Sequence, residues 1–345
     1  MRTLLEVKDL RVAFPTDSGL VSAVSEVSFS LNRGETLAIV GESGSGKSVS
    51  SMAIMGLLNR KRTQVSGEIL LHHDGLSTDL LSAEERVLRT IRGKKMAMIF
   101  QDPMSSLHPY YTINNQISEA WLIHNGGDKK VAKKRAIEML DLVGIPDPHR
   151  RVDEFPHQFS GGMRQRVMIA LALVNQPELL IADEPTTALD VTVQAQIMTL
   201  ISQMQKEFNM AVVLITHDLG VVAEYSDRIN VMYAGKLVEE GTTDEIFYES
   251  SHPYTVGLLN SIPRVDRAGT GKLSTIPGTP PSLINLPQGC AFSPRCSYIS
   301  HIRNNACFSS QPESTEISAG HKKRCFLEEQ EIRKIDLSQS LKESS

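Results

Sequence analysis

The 345-residue chain has a net charge of −4, with 41% hydrophobic and 22% charged residues, as is usual for a globular protein. Its length suits one large domain with a small one, or two medium domains, and the charge balance argues against a nucleic-acid partner. Charged residues interrupt the N-terminal segment where a signal peptide would be apolar, and no apolar run is long enough to span a bilayer. We therefore expect a cytosolic protein that is able to dock on a membrane protein.

Alternating apolar patches near the N-terminus predict the strands of an antiparallel meander. Two of them are Leu10–Phe14 and Ala23–Phe29. Phe14 has two interpretations, because an aromatic ring can stack on adenine or pack into a core. The sequence supports the two interpretations about equally.

The segment GESGSGKS, Gly41–Ser48, fits the phosphate-loop pattern G-x-x-x-x-G-K-S. A buried strand, Thr36–Val40, is predicted before it, and a buried helix, Val49–Leu58, after it, which is the context that the motif requires. Backbone N–H groups in such a loop converge on phosphate oxygens, and the helix N-terminus adds a favourable dipole. The predicted nucleotide contacts are Gly41, Ser43, Gly44, Ser45, Gly46, Lys47, which would reach the β- and γ-phosphates, and Ser48, whose hydroxyl would ligate Mg²⁺.

A second strand, Lys95–Phe100, ends at Gln101, whose amide oxygen can contact Mg²⁺ or a water molecule. Strand signals then stop between Pro103 and about Gln165, where the helices Asn115–His124 and Val131–Val143 are predicted. Gln101 would therefore couple the nucleotide site to this inserted helical section.

A serine and two glycines, Ser160, Gly161 and Gly162, precede an apolar helix. Such a start suits an anion, although taken alone it is more often an ordinary N-cap. One ATP needs only one phosphate cradle, and the chain already has one. The economical interpretation is that Ser160 and Gly162 contact the γ-phosphate of an ATP held by a different subunit.

The alternation of strands and helices resumes after this point and predicts a mainly parallel core sheet flanked by helices. The strand Leu179–Asp183 ends in two carboxylates, Asp183 and Glu184. Asp183 is predicted to lie near Mg²⁺ through water, and Glu184 is the candidate general base, although two carboxylates could also cap the next helix. His217 follows the strand Val212–Thr216 and could hydrogen-bond the γ-phosphate and the attacking water.

All four cysteines, Cys290, Cys296, Cys307 and Cys325, lie in the last fifth of the chain, after a Pro- and Gly-rich segment, 262–289. This segregation predicts a separate C-terminal module. The spacing fits neither the usual zinc pairs nor the ferredoxin run, yet clustered cysteines in a cytosolic chain favour a metal over disulfides. An iron–sulfur cluster, zinc and free thiols all stay open.

Several motifs together resemble those of ATP-binding cassette proteins in order and rough spacing. They are GESGSGKS, Gln101, FSGGM, LLIADE, Ala188-Leu-Asp190 and His217, and the resemblance covers about residues 5–250. It implies an α/β fold with a P-loop NTPase core, an antiparallel β subdomain and an inserted helical subdomain. It also implies ATP and Mg²⁺ as ligands, a head-to-tail dimer around two ATP molecules, and nucleotide contacts from Asp190 and from the FSGGM segment of the partner. Met163 stands where these proteins more commonly have glutamine, at a position that faces away from the phosphate in the usual arrangement.

Three C-terminal stretches, HPYT, IPGTPP and GCAFSPRC, resemble the extension of dipeptide/oligopeptide importer ATPases. The implied domains are a nucleotide-binding domain, 1–255, with the helical subdomain 103–165 inserted, and the extension 256–345. The implied partners are a second, non-identical cassette subunit, two membrane permeases and an extracytoplasmic substrate-binding protein, with this chain on the cytoplasmic face of the membrane. In some relatives the corresponding four cysteines hold a [4Fe–4S] cluster. His108 replaces a more usual asparagine near the permease-facing insertion.

Three other functions remain as alternatives. The same type of transporter ATPase could serve nickel, oligosaccharides or glutathione, because no residue of this chain contacts the cargo. A soluble cassette ATPase acting on DNA or ribosomes usually has two cassettes or a long coiled coil, and neither is present. A regulatory protein without transport is disfavoured by the intact set of hydrolytic residues.

Overall fold

The computed structural model describes residues 3–102, 106–187, 189–261, 276–328 and 332. Their strands are β1 (Thr3–Thr16), β2 (Gly19–Asn32), β3 (Thr36–Val40), β4 (Gln64–His73), β5 (Leu76–Asp79), β6 (Met96–Ile99), β7 (Leu179–Asp183), β8 (Ala211–Ile215), β9 (Arg228–Tyr233), β10 (Lys236–Thr242), β11 (Thr315–Ser318) and β12 (His321–Lys323). Their α-helices are α1 (Lys47–Ile54), α2 (Glu85–Ile91), α3 (Ile113–Asn125), α4 (Lys129–Leu142), α5 (Pro148–Arg151), α6 (Gly161–Leu173), α7 (Val191–Phe208), α8 (Leu219–Tyr225), α9 (Thr243–Tyr248), α10 (Pro253–Asn260) and α11 (Ala306–Ser309).

The core of the fold is a mixed sheet with the strand order β11-β12-β10-β9-β3-β8-β7-β6. Strands β6, β7, β8, β3 and β9 are parallel, and β10, β12 and β11 continue the sheet in antiparallel pairs. Every residue of β3, β7 and β8 is buried, as expected for parallel strands covered on both faces. The predicted α/β class is therefore confirmed.

The N-terminal strands form the second sheet, with the order β2-β1-β4-β5. Its strands pair antiparallel throughout, which confirms the predicted meander. Strands β1 and β2 are each 14 residues long, longer than the apolar patches indicated, because β-bulges let both strands continue past irregular positions.

Alternate residues of the core strands pack into two different hydrophobic clusters. In β7, Leu179 and Ile181 face the antiparallel sheet and α1, whereas Leu180 and Ala182 face α6, α7 and the inserted helices. This division follows from the two-residue period of a strand. The core sheet is consequently covered on both faces, and the carboxyl ends of β3, β6, β7 and β8 lie at a common edge.

The inserted section is helical in its described residues, as predicted, and contains α3, α4 and α5. Helix α6 then begins at Gly161, which confirms the helix start predicted at Ser160–Gly162. Ser160 is its N-cap, because the Ser160 hydroxyl accepts a hydrogen bond from the Met163 N–H at 3.3 Å. Pro103, where the insertion is predicted to begin, lies outside the described residues.

The C-terminal extension adds two strands that the sequence did not reveal. Strand β12 pairs with β10, with Glu239 opposite Lys323, and β11 pairs with β12. The predicted module therefore shares the core sheet, while the boundary at residue 255 stays a prediction. Residues 262–275 of the predicted connecting segment and most of the chain beyond Glu328 lie outside the described residues. Of the helices in the described ranges, none combines the length and apolar character that crossing a bilayer requires.

Candidate active site

The predicted phosphate loop joins β3 to α1 and depends on glycine at two positions for steric reasons. Gly41 and Gly46 have φ of +153° and +105°, in the region that favours glycine. A Cβ at Gly41 would lie 2.1 Å from the Met232 carbonyl oxygen, and one at Gly46 would lie 2.4 Å from the Ala23 carbonyl oxygen. Backbone atoms cannot move away as a flexible side chain can, so neither position has room for a larger residue.

Two side chains of the loop are poised for an anion. The Ser45 hydroxyl is buried and has no hydrogen-bond partner among the described residues. Lys47 is also buried, and its ammonium group donates to the carbonyls of Gly41 and Glu42 at 2.7 and 2.9 Å. Burial lowers the pKa of Lys47, and the charges of Glu184, Asp183 and Glu42 oppose this shift. A phosphate would give the Ser45 hydroxyl a partner and would give Lys47 a stronger one than the loop carbonyls.

The candidate Mg²⁺ ligands Ser48 and Asp183 lie side by side. The Ser48 hydroxyl donates to Asp183 Oδ1 at 3.1 Å, although 135 residues separate the two in sequence. Burial raises the pKa of Asp183, and the Ser48 hydrogen bond partly offsets that shift. A hydroxyl and a buried carboxylate at one sheet edge form an oxygen donor set of the kind that Mg²⁺ prefers. The residues present therefore fit this cation.

Three of the predicted catalytic residues come together at the ends of β6, β7 and β8. Gln101 Nε2 donates to Glu184 Oε2 at 2.7 Å, and His217 Nδ1 lies 3.5 Å from Glu184 Oε1. The hydroxyl of Thr187, which the sequence did not indicate, donates to Glu184 Oε2 at 2.9 Å. Glu184 itself has φ of +49°, a costly conformation for a residue with a side chain. Gln101 and Thr187 thus hydrogen-bond the Glu184 carboxylate, and the His217 ring lies within ion-pair distance of it.

The predicted second phosphate site lies apart from the phosphate loop. Ser160 and Gly161 are exposed, and no hydrogen bond in the described ranges joins residues 160–162 to Gly41–Ser48. Asp190 caps α7 by accepting from the Val193 N–H at 3.0 Å. These residues are free to face another molecule, which keeps their predicted role open.

A glutamine that the sequence did not single out links the two sites. Gln165, on α6, is buried, and its amide donates to the carbonyl of Pro185, the residue after Glu184. The only sequence signal for this contact is an amide within an otherwise apolar helix face. Through Gln165, a displacement of α6 would reach the segment that follows the candidate base.

Phe14, the candidate adenine platform, is half-buried near the end of β1, beside the hairpin to β2. It pairs across the hairpin with Val21 and packs against the cluster between the two sheets. This placement is compatible with both interpretations of the ring, so adenine stacking stays a prediction.

No disulfide joins the four cysteines, which line one small cavity with Phe292 and Leu327. A hydrogen bond with the Cys307 thiol lowers the pKa of Cys290 to about 7, whereas burial raises that of Cys296 to about 11 and that of Cys325 to about 12. Within the described part of the chain, no group of three or more His, Cys, Asp or Glu side chains is arranged to hold a metal ion. The four thiols thus share one cavity, although they are not arranged as a metal-binding group.

A phosphate loop at the end of β3, with a carboxylate pair at the end of nearby β7, defines an α/β ATPase of the P-loop class. Residues 24–187 match the family model described as "ABC transporter", and residues 238–302 match "Oligopeptide/dipeptide transporter, C-terminal region". The oligopeptide transport ATP-binding protein OppD of Salmonella typhimurium is 50% identical over 329 residues, which cover 95% of each chain. The chain therefore belongs to the ATP-binding cassette family of transport ATPases.

Other relatives agree with this assignment. The dipeptide transport ATP-binding protein DppD of Bacillus subtilis is 50% identical over 344 residues, 99% of this chain and 100% of the relative. Among solved structures, the ATP-binding cassette MJ0796, a post-hydrolysis dimer bound to ADP and Pi, is similar with a TM-score of 0.61 and 29% identity. That similarity covers 70% of this chain and 99% of MJ0796.

Two glycines of the phosphate loop should respond differently to the same substitution. Gly44 and Gly46 both have positive φ, but a Cβ at Gly44 would meet no atom within 4 Å. Gly44→Ala should cost only the backbone strain of about 1 kcal/mol, whereas Gly46→Ala adds a clash with backbone. We expect a clearly lower thermal midpoint for Gly46→Ala, measured by calorimetry without nucleotide. Equal midpoints would contradict the steric interpretation of Gly46.

Proposed function

We propose that this chain is the ATP-hydrolysing subunit of an importer for dipeptides or oligopeptides. The observation that carries the proposal is the match of residues 238–302 to the oligopeptide/dipeptide transporter C-terminal region, beside a cassette with its site residues assembled. The cargo specificity of this type of transporter resides in other chains. The peptide assignment therefore rests on similarity, whereas the hydrolytic chemistry can be argued from side chains.

In the proposed reaction, Glu184 accepts a proton from the water that attacks the γ-phosphate. Its carboxylate is held by Gln101 and Thr187 and faces His217, so its direction is fixed by three partners. A positioned base is effective because proton transfer requires hydrogen-bond reach to the reacting water. Lys47 would leave the loop carbonyls for the β- and γ-phosphates, and the unpartnered Ser45 hydroxyl would gain an acceptor.

Ser48 and Asp183, with the Gln101 side chain, would hold Mg²⁺ at this edge of the sheet. When bound, this cation supplies positive charge to the phosphate oxygens, where negative charge accumulates in phosphoryl transfer. The buried Asp183 carboxylate would then have a full positive charge nearby, which favours its ionised form. Phe14 would support the adenine ring from the antiparallel sheet.

We further propose that each ATP is shared between this chain and a related, non-identical cassette subunit. The exposed Ser160 and Gly161 and the half-buried Gly162 would contact the γ-phosphate held by the partner subunit, with Asp190 beside them. Two permease subunits and an extracytoplasmic substrate-binding protein would complete the importer, and this chain would lie on the cytoplasmic face of the membrane. No nucleic acid is required.

A direct test is reconstitution of this chain with candidate permeases and the second cassette subunit in proteoliposomes. We expect ATP-dependent uptake of labelled di- or oligopeptides when the substrate-binding protein is supplied. Nickel, an oligosaccharide and glutathione are the matched alternative cargoes. Uptake of one of these without peptide uptake would reassign the cargo and keep the ATPase role, whereas ATP hydrolysis indifferent to the permeases would favour a non-transport ATPase.

The C-terminal cysteines would hold a [4Fe–4S] cluster in this proposal, with zinc and free thiols as the alternatives. The support is that Cys290, Cys296, Cys307 and Cys325 line one cavity and that four thiolates are the usual ligands of such a cluster. After anaerobic purification we expect about four iron and four sulfide per chain and absorption at roughly 400 nm. A colourless, iron-free protein would exclude the cluster, and a zinc assay would then separate the remaining two states.

A further inference from the structure

The first turn of the phosphate loop is clamped by the C-terminal extension. The Arg295 guanidinium binds the Glu42 carboxylate at both ends, with Nη1 2.6 Å from Oε2 and Nη2 2.9 Å from Oε1. The two residues are 253 positions apart in sequence. Paired hydrogen bonds of this kind fix both the direction and the distance of the carboxylate, which a single contact does not.

Arg295 is itself held rigidly. Its side chain is 5% exposed, Nε donates to the Pro277 carbonyl at 2.8 Å, and Nη1 donates to the Tyr233 hydroxyl at 3.3 Å. Its guanidinium carbon also lies 5.8 Å from the centre of the Tyr233 ring. The pKa of Arg295 is raised, first by its hydrogen bonds to Glu42, so the group stays charged. The arginine is therefore a fixed positive charge and not a mobile surface side chain.

Glu42 is anchored through its backbone as well. Its N–H donates to the Tyr254 hydroxyl at 2.8 Å, and its carbonyl accepts from Lys47 at 2.9 Å. The Tyr254 ring packs at a tilt against Tyr233 and edge-on against Phe292, which lies three residues before Arg295. Residues of both the extension and the core therefore hold Glu42. The residue follows Gly41 in the chain and accepts a hydrogen bond from Lys47, which would meet the phosphates.

The charge of Glu42 matters for an anionic ligand. Glu42 lies within the phosphate loop, and its carbonyl accepts at 2.9 Å from Lys47, the residue predicted to reach the β- and γ-phosphates. A carboxylate on the loop that holds a triphosphate would repel the triphosphate unless a positive charge offsets the carboxylate. Arg295 supplies that charge from within the extension, in a setting that excludes most of the solvent.

We propose that Arg295 is a positioning residue of the nucleotide site. It fixes the first turn of the phosphate loop through Glu42 and neutralises the carboxylate beside the phosphates. The C-terminal extension is then part of the ATP-binding site as well as an attachment to the core. The inference rests on the proposed assignment of Gly41–Ser48 as the phosphate loop.

The test uses the opposite charges of Arg295 and Glu42. Arg295→Gln leaves Glu42 unneutralised, so we expect the Kd for a fluorescent ATP analogue to rise about tenfold on the full chain. Glu42→Gln removes the repelling charge, and its amide oxygen can still accept a hydrogen bond from Arg295 and so hold the turn. Its Kd should therefore not exceed that of the parent by more than about twofold. The double variant Glu42→Gln/Arg295→Gln should recover most of the affinity that Arg295→Gln loses.

Two controls are needed. One distinguishes the proposed role from simple attachment of the extension to the core, and the other tests the phosphate-loop assignment. His321→Ala breaks another buried contact between extension and core, the 2.9 Å pairing with Glu239, so it should lower the thermal midpoint without changing the Kd. Lys47→Ala should abolish binding; if it binds like the parent, the phosphate-loop assignment fails and the role of Arg295 fails with it. If Lys47→Ala abolishes binding and Arg295→Gln does not weaken it, the assignment stands and only the role of Arg295 fails.

Either of two results would overturn the proposal. One is an equal rise in Kd for Arg295→Gln and Glu42→Gln, and the other is an unchanged Kd for Arg295→Gln with a lowered thermal midpoint, as in His321→Ala. If Arg295→Gln does not fold, Arg295→Lys takes its place, since lysine keeps the charge but loses the paired geometry. A rise of a few fold is then expected, and no rise would overturn the proposal.

Discussion

Replacing Glu184 by glutamine should lower the rate of ATP hydrolysis by about 100- to 10,000-fold while leaving ATP binding intact. Glutamine has the size of glutamate and can still hydrogen-bond Gln101 and Thr187, which now hold the carboxylate at 2.7 and 2.9 Å. It cannot accept the proton of the attacking water. The loss should therefore appear in kcat, measured by phosphate release, and not in the Kd for ATP.

A matched control lies at the opposite end of the same strand. Glu178 immediately precedes β7 and is ion-paired with Lys95 at 2.9 Å, away from the phosphate loop. Glu178→Gln removes a carboxylate from the same segment, so it should reduce stability without affecting kcat. Turnover by Glu184→Gln within a factor of about three of the parent would remove Glu184 from the base role.

Changing Ser160 to aspartate should abolish ATP-dependent pairing of this chain with its partner cassette. Aspartate is as good an N-cap as serine, so the hydrogen bond to the Met163 N–H and the helix start should survive. Its negative charge would face the γ-phosphate of the partner's ATP. At ~4 Å and an effective dielectric of ~20 the repulsion is about 4 kcal/mol, which exceeds what a 100-fold loss of association requires.

Ser160→Asn is the matched control, because asparagine caps equally well and carries no charge. Association would be followed by light scattering with ATP in the Glu184→Gln background, where the nucleotide persists. We expect Ser160→Asn to associate and Ser160→Asp not to. Association of both variants to the same extent would show that Ser160 does not face a phosphate, and the shared-site proposal would fail.

Sequence patterns determined those features of this protein that depend on residues close together in the chain. Continuous apolar runs predicted β3, β7 and β8, because a parallel strand buried on both faces needs apolar residues throughout. The order of short motifs predicted which residues end those strands. Since parallel strands end at one edge, Gln101, Glu184 and His217 could be expected together before their contacts were known.

Tertiary structure alone decided the contacts between segments that are distant in sequence. Nothing near Arg295 indicates that it binds Glu42, and nothing in the short, polar β12 indicates that it extends the core sheet from β10. Gln165 likewise gains its partner, the Pro185 carbonyl, only when α6 packs beside the end of β7. Periodicity and spacing report local conformation, whereas these contacts arise from how the chain closes over its core. That closure joins the C-terminal extension to the phosphate loop.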